Sequence, residues 1–445
     1  MSYIATTGAQ REEMLAACDE GSIEDLFRDI PAHLRPRSFS LPRGKSELEI
    51  HAWFEKLAAQ NYTHLISFVG GGYYDHFIPA AVDALASRSE FYTAYTPYQP
   101  EVSQGTLQAI YEYQTDICRL TGLDVANASL YDGGTALYEA CQMAVSITGR
   151  KKIVLDGGIN PIYRKMIYSY TANLSLEFAE IPVSHGQSDR RAVYDALDDR
   201  TAAIIVQNPN FFGVIDDHAD IAARAHEQGI VAIQSVYPVA LALLKTPGEQ
   251  GFDIATGEGQ SLGIPLSFGG PYLGLMAVRK SLVRKMPGRI VARTVDTGGR
   301  EGFVLSLQAR EQHIRREKAT SNICTNQALC ALRAHIFLSL IGKQGLKSMA
   351  QLCVDKAHYT KERFKAIPGV KVMESSPTFN EFTVQLPIDA AECVGRMVEL
   401  GFAAGFPLGR YYKGLENYLL VAVTEKRTKY QIGQLVEAIE AVVCR

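Results

Sequence analysis

The sequence lacks several features that would place it in a specialised class of protein. It has no Cys-x-x-Cys pair and no His-Glu-x-x-His motif, so neither common type of metal site is predicted. No apolar run approaches the roughly 20 residues needed to span a bilayer. The net charge of -3 leaves no basic excess for binding nucleic acid. We therefore expect no metal site, no membrane span and no nucleic-acid partner.

Two further absences predict the compartment. Residues 1–31 are acidic and mixed, unlike a secretory signal or an arginine-rich transit peptide. The eight cysteines form no close pairs and mostly fall in apolar, helix-like settings, which predicts reduced, buried thiols. We expect a cytoplasmic protein, and its 47% hydrophobic and 21% charged residues are typical of an ordinary globular chain.

The pattern along the 445 residues divides into three regions. Residues 1–90 are predicted as an N-terminal region of helices and extended chain, with caps at Ser22 and Ser46. Residues 91–340 alternate between apolar strands and amphipathic helices, which is typical of a mostly parallel sheet covered on both faces. Residues 341–445 are predicted as a small C-terminal α+β domain. Long helices are predicted at 323–341, capped by Ser321, and at 347–364.

One turn of the predicted sheet lacks a lysine that its surroundings favour. The apolar run 252–255 and the strand 273–278 flank the turn Gly257-Glu258-Gly259-Gln260. Many pyridoxal-phosphate enzymes carry their Schiff-base lysine in such a strand–turn–strand. Here Gln260 takes that place, and a glutamine cannot form an imine with the cofactor.

Two other turns are candidates for binding a ligand. Tyr131-Asp132-Gly133-Gly134-Thr135 precedes a predicted helix, whose first N–H groups can hold an anion such as a phosphate. A simple helix cap explains Asp132 and Thr135 equally well. The segment 207–213, with Asn208, follows a predicted strand at the edge where α/β sheets bind ligands, although an Asn-Pro turn is an equal alternative.

Two segments have unusual aromatic and cationic content. Residues 91–101 combine two prolines with three tyrosines, which favours packing against another subunit or lining a pocket. Residues 310–322 concentrate arginine, histidine and amide side chains, and Arg289 could join this group. A solvated charged face is the alternative for residues 310–322.

Together these motifs resemble the amino-terminal half of glycine decarboxylase, the P-protein of the glycine cleavage system. The resemblance rests on 95–108, 131–136, 207–213, 258–263 and 310–327, and it extends from about residue 38 to the C-terminus. The chain is similar in length to the separate subunit 1 of the split, two-gene form.

The resemblance implies a fold-type I pyridoxal-phosphate transferase-like architecture, α/β in class. It implies a heterotetramer of two such chains with two copies of subunit 2, whose lysine would hold pyridoxal phosphate covalently. The complex would be an oxidoreductase, a glycine dehydrogenase (aminomethyl-transferring). It would decarboxylate glycine and pass the aminomethyl group to the lipoyl arm of the H-protein. No covalently bound cofactor is expected on this chain.

The resemblance also implies two sets of site residues. Gln234 takes the place of the aspartate that fold-type I enzymes set against the pyridine nitrogen. A degenerate cofactor pocket would contain Gly133, Gly134, Thr135, Asn208, Gln234 and Gln260. The candidates for reaching the partner's active site are Tyr95, Tyr98, Gln99, His313, Arg315, Arg316 and Asn322.

Two alternatives remain open. One is a free-standing aminotransferase- or lyase-like enzyme that uses a lysine elsewhere, such as Lys245 or Lys318. The other is a purely scaffolding subunit that docks through the tyrosine loop and places no residue in an active site.

Overall fold

The computed structural model describes residues 5–36, 38–373 and 376–444, which form two compact units divided between Thr63 and His64. The first unit contains the helices Gly8–Ala17 and Glu47–Ala58 and the 3-10 turns Ile23–Phe27 and Ala32–Leu34. Ser22 accepts a hydrogen bond from Asp25 N, and Ser46 accepts one from Glu49 N, so both predicted caps are confirmed.

The second unit is built on a seven-stranded sheet. Five neighbouring strands are parallel, and two strands at one edge pair antiparallel, which confirms the predicted mostly parallel sheet. The order across the sheet is Val125–Ala126, Gly274–Val278, Ile254–Glu258, Val231–Val236, Thr201–Asn208, Lys152–Asp156 and Glu177–Ile181. The inner strands are buried almost throughout, because helices cover both faces.

The helices that cover this sheet begin close to where the sequence predicted them. Gly133–Thr148 packs on one face, and Arg190–Ala196 and Ala219–Glu227 pack on the other. Ser103 stands at the start of Gln104–Thr121, but its side chain makes no capping hydrogen bond. The other helices near the sheet are Ala80–Ala86, Ser89–Tyr92, Pro161–Thr171 and the 3-10 turn Pro238–Ala242.

The long helix starts later than predicted. It runs from Ala328 to Lys365, and Gly342 interrupts it with φ 60° and ψ -179°, a conformation that glycine adopts readily. The predicted start at residue 323 and the Ser321 cap were wrong. The Ser321 hydroxyl instead donates to Glu139 Oε1 at 2.9 Å and accepts from Ile323 N, which holds this segment outside the helix.

The C-terminal part of the second unit has its own sheet and core. Four antiparallel strands lie in the order Lys371–Val372, Glu381–Gln385, Tyr418–Ala422 and Phe406–Pro407. The helices Ala390–Glu399 and Lys429–Val443 pack on them around Phe382 and Leu435. This is the predicted α+β region, while the proposed boundaries at 90/91 and 340/341 stay a prediction.

Smaller elements complete the second unit. They are the hairpin Ile290–Val295 with Glu301–Ser306, the pair Ile66–Ser67 with Phe402–Ala403, the ribbon Val183–Ser184 with Gln187–Ser188, and the turns Lys280–Lys285, Gln308–Arg310, Gln312–Arg315, Arg316–Lys318 and Leu408–Arg410. Among the helices of the described residues, none combines the length and the apolar character needed to cross a bilayer.

Candidate functional site

Gln260 is part of the packed interior. It lies two residues beyond the end of Ile254–Glu258, and its side chain is buried. Its Oε1 accepts from Tyr74 N at 2.8 Å, and its Nε2 donates to Tyr74 O at 3.1 Å and Ile264 O at 2.8 Å. The amide therefore joins two backbone segments and is fully occupied by them.

Glu258, at the end of the same strand, binds the start of a helix. Its Oε2 accepts from Gly133 N at 2.9 Å, the first residue of Gly133–Thr148. Its Oε1 accepts from Gln260 N at 2.9 Å and from Leu273 N at 3.0 Å. Burial raises the pKa of Glu258 to about 8, although the N–H groups of Gly133 and Leu273 oppose the shift.

Asp132 caps this helix start through Thr135. Its Oδ1 accepts from Thr135 N at 2.8 Å, and its Oδ2 accepts from the Thr135 hydroxyl at 3.0 Å. The helix-cap interpretation of Asp132 and Thr135 is therefore the arrangement observed. Both polar groups of Thr135 that could bind a phosphate are already used within the chain.

The other two predicted pocket residues have no side-chain hydrogen bond to this group among the described residues. Asn208 Nδ2 donates to Asp216 O at 2.9 Å, and its Oδ1 accepts from Asp216 N, as in the Asn-Pro turn interpretation. Gln234 is buried in the middle of the sheet, and its Nε2 has no hydrogen-bond partner among the described residues. The structure therefore joins Gly133, Thr135 and Gln260 through Glu258 and Asp132, but not Asn208 or Gln234.

Gly133 and Gly134 are tightly packed by neighbouring side chains. A methyl carbon built on Gly133 would lie 2.6 Å from the Tyr163 hydroxyl, and one built on Gly134 would lie 2.4 Å from Met166 Sδ. Burial and the charges of Glu258 and Asp132 raise the pKa of Tyr73. The residues present do not fit a cofactor phosphate, because Glu258 and Asp132 already accept from Gly133 N, Thr135 N and the Thr135 hydroxyl, which are the donors it would use.

The two lysines of the free-standing alternative lie in open settings. Lys245 is exposed, and its ammonium is 2.6 Å from Asp217 Oδ2. Lys318 is exposed in the turn Arg316–Lys318. Neither has the enclosed surroundings that position a Schiff-base lysine against a ligand.

All seven residues predicted to reach a partner are exposed. They are Tyr95, Tyr98, Gln99, His313, Arg315, Arg316 and Asn322. Tyr95 is 77% exposed and borders a small cavity of about 30 Å³ beside Ala328 and Leu329. Exposed aromatic and guanidinium groups of this kind can bind a second chain.

Arg289 connects the tyrosine loop to the cationic segment. Its Nη2 donates to the Tyr98 hydroxyl at 3.2 Å and to Cys324 O at 2.8 Å, and its carbon Cζ lies 5.4 Å from the centre of the Tyr98 ring. Its Nε lies 3.9 Å from Glu311 Oε2, which is 3.8 Å from His313 Nδ1. We call Tyr98, Arg289, Glu311 and His313 the Arg289 cluster.

The segment 310–322 also has an unusual backbone conformation. Arg316 has φ 52° and ψ -128°, which is a strained conformation for a residue other than glycine. Gln312 Nε2 donates to Asn322 O at 2.7 Å and closes the segment on itself. Residues 312–322 thus form one local structure, and because their candidate side chains are exposed, the solvated charged face stays an open alternative.

Sequence analysis missed several residues of this site. Glu258 was quoted only as a neighbour of Gln260, although a carboxylate on a fully buried strand is itself a signal. Glu381 was also missed: it accepts from Gly71 N at 2.7 Å and from the Tyr74 hydroxyl at 2.8 Å, and burial raises its pKa to about 7. The Gly71 turn is therefore built around a carboxyl group.

One group of described side chains brings possible metal donors together. His76, Cys353 and Glu425 place three such atoms within 4.8 Å of one another. His76 Nδ1 and Glu425 Oε2 are 2.6 Å apart and hydrogen-bond directly. The absence of a metal site stays a prediction.

Comparisons with known proteins agree on one family. The family model for the glycine cleavage system P-protein matches residues 1–439. A probable glycine dehydrogenase (decarboxylating) subunit 1 from Maridesulfovibrio salexigens is 57% identical over 443 residues, covering 100% of both chains. The same protein from Geotalea daltonii is 56% identical over 441 residues, covering 99% of this chain and 100% of that one.

Solved structures give the same result. A crystal structure of glycine decarboxylase (P-protein) of the glycine cleavage system, in inhibitor-bound form, has a TM-score of 0.94 at 41% identity, covering 99% of this chain and 100% of that one. A Lactobacillus brevis glutamate decarboxylase, with a TM-score of 0.69 at 11% identity over 95% and 97% of the two chains, shares the fold alone. The fold is that of the fold-type I pyridoxal-phosphate enzymes, as the sequence predicted. The chain therefore belongs to the glycine cleavage system P-protein family, with the length and sequence of its subunit 1 members.

Proposed function

We propose that this chain is the subunit of a glycine decarboxylase that completes an active site whose Schiff-base lysine lies on subunit 2. The complex decarboxylates glycine on pyridoxal phosphate held by that partner. It transfers the aminomethyl group to the lipoyl arm of the H-protein, whose disulfide is reduced. Two copies of each chain form the heterotetramer.

The observation that carries the proposal is the state of Gln260. The position that would hold the lysine has a buried amide bonded to Tyr74 and Ile264, so the chain offers no amine there. Decarboxylation requires an electron sink for the carbanion left by carbon dioxide, which the cofactor supplies when it is bound. A chain with this turn requires another chain to hold the cofactor.

The exposed candidates suggest what this chain contributes. Arg315 and Arg316 carry guanidinium groups that bind carboxylate or phosphate with two parallel hydrogen bonds. Tyr98 presents a hydroxyl held by Arg289, and Tyr95 presents an aromatic face. Substrate and cofactor both carry anionic groups, so we assign these residues to binding and orienting them at the subunit interface.

Replacing Arg315 with alanine tests this assignment against a purely scaffolding subunit. Losing a charged hydrogen bond costs about 1.5–3 kcal/mol, so we expect glycine decarboxylation by the assembled complex to fall roughly 10- to 100-fold. Assembly, measured by size-exclusion chromatography with subunit 2, should be unchanged. The rate is measured as glycine-dependent exchange of labelled carbon dioxide in the presence of H-protein.

Arg200→Ala is the matched control, because Arg200 is an exposed arginine paired only with Glu177 and Asp198 among the described residues. It should retain full activity in the complex. Each purified chain alone should be inactive. Full activity of Arg315→Ala would favour the scaffold, and glycine decarboxylation by this chain alone would refute the proposal.

A further inference from the structure

The helix start at Gly133 carries two carboxylates from its own chain. Glu258 binds Gly133 N, and Asp132 binds Thr135 N and its hydroxyl. The helix Gly133–Thr148 has 16 residues, and the partial positive charge of its first N–H groups favours an anion. A bound phosphate group would use the same donors.

Glu258 also connects the helix start at Gly133 to the turn that follows its own strand. Its second oxygen accepts from Gln260 N and Leu273 N, so one carboxyl group satisfies three backbone donors on three segments. It is only 4% exposed. A competing ligand would have to displace Glu258, and each of the three N–H groups would then need a new acceptor.

Two side chains of a neighbouring helix pack against the glycines of this helix start. Tyr163 and Met166, from the helix Pro161–Thr171, contact Gly133 and Gly134 so closely that not even a methyl group fits there. Gln260 fills the position from which a lysine would extend. The donors of the helix start and the imine position are therefore occupied by different residues, the first by Glu258 and Asp132 and the second by Gln260.

We propose that Glu258 and Asp132 are built-in substitutes for a phosphate group, which lock this chain's own pocket against phosphate-bearing ligands such as pyridoxal phosphate. The inference deepens the proposed function, on which it rests for assigning Gln260 to the lysine position. It concerns a different pocket from the one that the complex uses. The two carboxyl groups keep Gly133 N, Thr135 N and the Thr135 hydroxyl hydrogen-bonded with no ligand bound.

The test replaces both carboxylates in the full-length chain and uses inorganic phosphate as the probe. Serine at position 132 still caps the helix, whereas serine at position 258 removes the carboxyl group that accepts from Gly133 N and opens space. In Asp132→Ser/Glu258→Ser, we expect phosphate to raise the melting temperature saturably, by about 2–4 °C beyond sodium chloride of equal ionic strength. The wild-type chain should show no such excess, and its phosphate ³¹P NMR line should not broaden.

Glu139→Ser/Asp389→Ser is the matched control. Glu139 is a buried carboxyl in the same helix, and Asp389 caps Ala390–Glu399, but neither lies at the Gly133 start. This control should respond to phosphate as the wild type does, since general stabilisation by phosphate acts on all three proteins.

The outcomes separate the possibilities. A saturable phosphate effect confined to the double variant at 132 and 258 supports the lock. An equal saturable effect in the wild-type chain would show an open pocket, and no excess in that double variant would show that the carboxylates do not replace a phosphate. If the double variant does not fold, Glu258→Ser takes its place under the same criteria. Activity of the assembled complex is measured separately, so failure here is distinct from failure of the proposed function.

Discussion

Replacing Arg289 with methionine should lower the turnover of the assembled complex by roughly 10- to 100-fold, with a smaller change in KM for glycine. Arg289 is buried and holds the Tyr98 hydroxyl, Cys324 O and the Glu311 carboxylate together. Without the guanidinium, Tyr98 keeps its ring but loses its orientation. A displacement of about 1 Å in a positioned group is enough for such a loss.

Arg289→Lys sharpens this prediction. Lysine keeps the positive charge beside Glu311 but lacks the planar guanidinium, whose Nη1 donates to Thr96 while its Nη2 donates to Tyr98 and Cys324. We therefore expect Arg289→Lys to assemble normally. Its turnover should lie between that of Arg289→Met and that of the wild type. Steady-state kinetics of the complex, with subunit 2 saturating, give kcat and KM for each variant.

Arg279→Met is the matched control for losing an arginine that binds backbone carbonyls. Arg279 donates to Phe252 O and Gly251 O, outside the Arg289 cluster. It should lower the melting temperature but leave kcat of the assembled complex unchanged. Wild-type turnover in Arg289→Met would remove the Arg289 cluster from the active site.

Placing a lysine at position 260 should destabilise the chain without creating a cofactor site. Gln260→Lys leaves Tyr74 N without its acceptor and buries an ammonium beside carbonyl groups. An unpaired buried donor and a buried charge together cost about 3 kcal/mol or more of the free energy of unfolding. Because Glu258 and Asp132 occupy the helix-start donors that would bind the cofactor phosphate, we expect no cofactor to bind beside the new lysine.

Urea unfolding and absorbance with added pyridoxal phosphate measure the two parts of this prediction. Gln250→Lys is the matched control, since Gln250 is similarly buried and bonds to His218 N and Lys245 O. Both variants should lose similar stability, and neither should become yellow through an imine at the new lysine. A borohydride-stable pyridoxyl group at position 260 of Gln260→Lys, with none in the control, would mean that the pocket is open.

The large elements of this fold could be predicted from sequence because each has a local signal. Buried strands such as Thr201–Asn208 are largely continuous apolar runs, and Glu47–Ala58 begins at a serine followed by a glutamate three residues later. The start of the long helix could not be predicted this way. Gln327 N binds Ser129 Oγ and Ser321 binds Glu139, and contacts across nearly 200 residues leave no local pattern.

The candidate site was predictable to a similar degree. Gln260 was identified because the sequence motif shows that a lysine is absent there. The role of Glu258, two residues earlier, became clear only from its hydrogen bond with Gly133 N in the structure. Arg289 and Tyr98 lie 191 residues apart, and their contact follows from how the loop at 91–101 packs. Charge and exposure indicated the candidate residues, while their connection required coordinates.

The central claim is that the imine-bound cofactor belongs to the partner chain and never to this one. Borohydride reduction of the assembled, active complex, followed by mass measurement of each separated chain, tests it most directly. We expect subunit 2 to gain the mass of one pyridoxyl group and this chain to keep its unmodified mass, both in the complex and when incubated alone with pyridoxal phosphate. A stoichiometric pyridoxyl group on a lysine of this chain would contradict the account.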